Sequence, residues 1–80
     1  MLTEFQRNNI AALTDEALGK ECVSAIRLAN RIPDGFNRLW RDGCYGEANR
    51  RGKLYLYLAA LEEVRLENAA SRVLNAKPPS

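Results

Sequence analysis

After Thr14 the apolar positions Leu18, Cys22, Ala25, Ala29 and Ile32 recur at steps of four, three, four and three. That spacing draws one stripe along an α-helix, with Ile26 at its edge, and predicts a helix from Asp15 to about Ile32. Thr14 supplies its cap, Asp15 and Glu16 meet the positive end of its dipole, and Pro33 stops it. Ahead of it, Thr3 and Gln6 have the form of a capping box and open a short helix over about 4–13. Behind it, Pro33-Asp34-Gly35 is a turn. Phe36, Leu39 and Trp40 at i, i+3 and i+4 then predict a short helix ending near Gly43, and the two glycines of Gly43-Cys44-Tyr45-Gly46 predict a loop.

The last helix is expected over about 48–75, with Gly52 weakening its first turn. Its run Leu54-Tyr55-Leu56-Tyr57-Leu58-Ala59-Ala60-Leu61 alternates like a strand. The continuation Glu62-Glu63-Val64-Arg65-Leu66-Glu67 consists largely of good helix formers without a turn residue, which favours helix. Leu54, Tyr57, Leu58, Leu61 and Val64 share one face of it, and Leu66, Ala69, Ala70 and Val73 cluster on a face turned by about a third of a revolution. The expected packing sets the Leu18/Cys22/Ala25/Ala29/Ile32 stripe against Leu54, Leu58 and Leu61. The second patch is left for a symmetry mate, a partner or the short first helix. The fold class is therefore all-α: one domain of three to four helices over 1–76 with a long C-terminal helix, and a disordered tail over 77–80.

Composition limits what such a domain does. The chain has 80 residues, 46% of them hydrophobic and 28% charged, enough apolar surface for one core. Mean hydropathy is −0.38, which argues against a membrane span. Histidine is absent, which removes the usual general base, the usual partner of a serine or cysteine nucleophile and the commonest metal ligand. Cys22 and Cys44 stand far apart without neighbouring ligands, so no metal site is expected. No basic-then-apolar leader opens the sequence, so the expectation is a cytoplasmic protein with reduced thiols, a Cys22–Cys44 disulfide being the alternative in an oxidising compartment. The adjacent acids Asp15/Glu16 and Glu62/Glu63 point apart on a helix and cannot flank a bond as an acid and base pair. No phosphate-cradling glycine loop is present. The chain reads as non-catalytic, with no cofactor.

Charge is unevenly spread: residues 31–53 hold Arg31, Arg38, Arg41, Arg50, Arg51 and Lys53 against Asp34, Asp42 and Glu47. Guanidinium groups take phosphate or carboxylate through paired donors, and aromatics among them stack or anchor. Arg38, Trp40, Arg41, Tyr45, Arg50, Arg51 and Lys53 are thus candidate contact residues, joined by the line Lys20, Arg27 and Arg31 on the second helix. For each, the plainer reading is a solvated helix face, or for Trp40 a core anchor with Phe36 and Leu39. A helix-turn-helix at Pro33-Asp34-Gly35 fits poorly, because Arg31 stands where a small residue must let two helices approach. The expected function is a small adaptor, inhibitor or regulator that docks on a larger protein or nucleoprotein with an acidic or phosphate-lined surface. The alternative is a dimeric regulator that contacts nucleic-acid phosphates with the same arginines. Leu66, Ala69, Ala70 and Val73 are the candidate dimer or partner patch.

Overall fold

A computed structural model describes the backbone of residues 1–75 and side chains through Ser71. The tail over 77–80 and the side chain of Val73 lie outside the described residues. The fold is an all-α bundle: α1 (Glu4–Ala11), α2 (Asp15–Arg31), α3 (Gly35–Arg50) and α4 (Tyr55–Asn75). The molecule is elongated, 54 × 24 × 15 Å, because α2 lies in the middle with α3 and α4 packed along it, while α1 packs on α3.

Each of the first three helices begins where a side chain can satisfy a free amide. Thr3 and Gln6 form the reciprocal capping box, Thr14 Oγ1 accepts from Ala17 N at 3.1 Å, and Asp34 Oδ1 accepts from Asn37 N at 2.7 Å. Asn37 then donates through Nδ2 to the Ile32 carbonyl at 2.8 Å, tying the end of α2 to the start of α3. Asn37 is buried for that reason.

The chain departs from its expected course in the middle. Gly43-Cys44-Tyr45-Gly46 is not a loop; α3 runs through it to Arg50. Cys44 and Ala48 are fully buried against α2, and that burial outweighs the helix cost of the glycines. Gly43 has a packing reason: a Cβ there would lie 2.6 Å from Leu2 Cδ1 and 3.0 Å from Ile10 Cδ1, so its bare backbone is what lets the N-terminal segment close on α3. The actual turn follows at Arg51-Gly52-Lys53-Leu54. Gly52 takes φ +69° there, its N–H reaching the Asn49 carbonyl at 3.0 Å and the Lys53 N–H the Ala48 carbonyl at 2.9 Å. These two bonds are the Schellman ending of a helix, which glycine enters without a Cβ penalty. Gly52 thus ends α3, and α4 begins at Tyr55, later than the expected 48.

Leu18, Cys22, Ala25 and Ala29 are buried as expected, while Ile32 is half exposed at the C-cap and Ile26 belongs to the core at 2% exposure. On α4 the buried stripe is Tyr57, Ala60 and Val64, with Leu54 and Leu56 packed at its margin. Leu58 and Leu61, expected to face α2, are 53% and 40% exposed, because α2 lies on the side of α4 rotated toward Ala60. Cys22 and Cys44 are free thiols with no exposure. A hydrogen bond to Cys22, together with burial, pushes the Cys44 thiol far up, so it stays neutral. No helix among the described residues is long and apolar enough to cross a membrane.

Candidate functional site

The basic segment of the sequence separates into three places. The first is the junction where α1 ends, α2 begins and α3 ends, and it holds Arg50, Arg51 and Lys53. Arg51 is only 15% exposed along its side chain. Its Nε donates to Glu47 Oε2 at 2.6 Å, its Nη1 to Asp15 Oδ1 at 3.0 Å, and its Nη2 to the carbonyls of Ala11 and Leu13 at 3.1 and 2.8 Å. One guanidinium so satisfies the exposed carbonyl end of α1 and binds it to the starts and ends of its neighbours. Arg50 grips the same Glu47 through two donors at 3.1 and 2.5 Å, and Lys53 pairs with Asp15. Burial would raise the Glu47 carboxyl, but the Arg50 and Arg51 guanidinium groups outweigh it and hold it below the usual range. Lys53 and Arg51 likewise lower Asp15. Each of these three cations is ion-paired within the molecule, the three sharing the two carboxylates Glu47 and Asp15.

The second place is the outer side of α3, toward α4. Arg38, Arg41 and Tyr45 share it: Arg41 pairs with Asp42 at 3.3 Å, and Tyr45 meets the buried Tyr57 ring edge-on at 5.1 Å. The third is the α2–α3 hairpin, with Trp40. Its indole Nε1 donates to Glu21 Oε1 at 2.8 Å and its ring stacks on Phe36 at 6.1 Å. Together with Leu28, Ala25, Ser24 and Asn37 these residues line an open, mainly apolar concavity of about 220 Å³. Of its lining, Leu28 and Phe36 are 44% and 51% exposed, and Ile32 at the end of α2 is 52% exposed. Arg31 follows Leu28 by one helical turn on the same side of α2, whereas Arg38 sits about 200° around α3 from Phe36, taking about 100° per residue.

The α2 cations also diverge. Lys20 pairs with Glu16 at 3.5 Å across one turn, and Arg27 holds Glu67 of α4 with two bonds at 3.2 and 2.7 Å. Among the described residues, Arg7, Arg31 and Arg38 have no ion-pair partner. Leu66, Ala69 and Ala70 are exposed on α4, away from α2, and α1 does not cover them because it sits on α3.

Phe36, Leu28 and Ile32 escaped the sequence reading as contact residues. Leu28 lies off the predicted core stripe, and an apolar residue off the stripe of an amphipathic helix was the available signal. Comparisons with protein-family models, curated proteins and solved structures found no match.

Proposed function

We propose that the protein is a small non-catalytic docking module. It engages a larger protein through the α2–α3 hairpin, taking an apolar segment flanked by carboxylates. One observation carries the reading: Leu28 and Phe36, each about half exposed, line one concavity together with Trp40, and Ile32, one turn beyond Leu28, is half exposed as well. A large exposed apolar cluster costs solubility and marks a contact surface, and aromatic residues held rigid by packing lose little entropy on binding. Trp40 is pre-set by Phe36 and Glu21 in this way. Charge acts from the flank of the concavity: Arg31, one turn from Leu28, has no ion-pair partner and lies on the side of α2 toward Arg27 and Glu67, where it would meet a carboxylate beside the docked apolar segment.

Selection of displayed random peptides on the immobilised protein tests this. Enriched peptides should carry bulky apolar residues next to Asp or Glu, and Phe36→Ala or Arg31→Glu should weaken a selected peptide at least tenfold with helicity unchanged. Enrichment of basic peptides, or no enrichment, contradicts the reading. So does tight binding to bare DNA that falls steeply between 50 and 200 mM salt, the behaviour of phosphate neutralisation. The nucleic-acid alternative needs a contiguous set of free cations, and Arg50, Arg51, Lys53 and Arg27 are engaged with carboxylates.

A further inference from the structure

We propose that the outer face of α4 is a homodimerisation surface, on which α4 of a second copy of this chain packs antiparallel about a two-fold axis midway between residues 63 and 64. The argument starts from what α2 leaves uncovered. Leu58, Leu61 and Leu66 are 53%, 40% and 54% exposed on one helix, too much apolar surface to serve solubility.

Leu58, Glu62, Arg65 and Ala69 follow one another at steps of four, three and four and so form one stripe along the outer face of α4. Their chemistry is self-complementary only when the helices run in opposite directions. Leu58 then faces the small Ala69 of the second copy, and Glu62 faces Arg65 of the second copy, each contact occurring twice as two-fold symmetry demands. Leu66 on the flank meets Ala59 of the second copy. Within one protomer Glu62 already pairs with Arg65 at 2.6 Å, both more than half exposed, so dimerisation joins two ready ion pairs into a neutral four-charge cluster. The charged centre, flanked on each side by a Leu58–Ala69 contact, costs affinity and fixes register.

A helix pair of this length lies at the small end of specific interfaces, so the dimer should be reversible in the micromolar range. Sedimentation equilibrium tests it. The wild-type chain should pass from monomer to dimer with concentration, and Glu62→Arg and Arg65→Glu should each weaken association at least tenfold by placing like charges opposite one another. Mixing these two variants should restore association, since each then presents the charge the other lacks. Unchanged circular dichroism shows that the surface changes leave the fold intact. For register, Leu58→Cys and Ala69→Cys should form a disulfide when mixed and oxidised, but neither alone. A monomer at millimolar concentration, single charge variants that associate like the wild type, or a Leu58→Cys variant that cross-links to itself would each overturn the proposal.

Discussion

Removing the Arg51 guanidinium would leave the Glu47 carboxylate, in a residue only 8% exposed, with Arg50 as its remaining cation, and would strand the carbonyls of Ala11 and Leu13. Arg51→Met should therefore destabilise by about 2–3 kcal/mol, the scale of several lost charged hydrogen bonds and stranded carbonyls. In a domain of this size that lowers Tm by about 10–20 °C in a thermal melt. Acid acts on the same junction. The folded Asp15 and Glu47 carboxyls titrate below their ordinary range, so their stabilisation is fully present above about pH 5 and is lost as pH falls through the depressed folded values. Melts of the wild type should lose Tm steeply below about pH 4, and Glu47→Gln should be less stable at pH 7 with a shallower loss in acid. Nothing in the sequence told Arg51 apart from Arg50 or Arg38. What distinguishes it is a contact with residues almost forty positions away, and spacing along one helix carries no information about that.

At the scale of elements, helix starts were legible because a cap is a local device: Thr3, Thr14 and Asp34 each satisfy an amide three residues on. The third helix was misjudged because glycines read as a loop signal when what decides is the partner they face. Gly43 buys the close approach of Leu2 and Ile10, whereas a Cβ at Gly46 would meet nothing within 4 Å. Gly46→Ala should then raise stability by about 0.5–1 kcal/mol through helix propensity alone, read as a rise in the denaturation midpoint. Gly52→Ala has the opposite sign. It forces a Cβ into the left-handed region at φ +69° and should cost about 1–2 kcal/mol in the same titration. The face of α4 was harder still, since eight apolar or aromatic residues in succession are compatible with burial on any side. Only the position of α2 assigns Tyr57, Ala60 and Val64 to the core and leaves Leu58 and Leu61 outside.

For the whole molecule, three helices packed with α2 in the middle leave apolar surface uncovered at the α2–α3 hairpin and along α4. The sequence supplied the helical class and much of the central stripe, while its single basic and aromatic surface divides into an ion-paired junction, an outer α3 face and the Trp40 concavity. A cation's neighbours in space decide whether its charge is available, and the internal pairs of Arg27, Arg50, Arg51 and Lys53 came from carboxylates on other turns and other helices. The account rests on the hairpin as the place where a partner docks. Amide chemical shifts of the isotopically labelled protein, followed while an acidic and apolar peptide selected on it is titrated in, test that most directly. Shifts concentrated between Glu21 and Trp40, together with the Trp40 indole N–H that now donates to Glu21, are the predicted result. Shifts centred on α4 between Leu58 and Ala69, or on the Arg51 junction, with the hairpin silent, would contradict it.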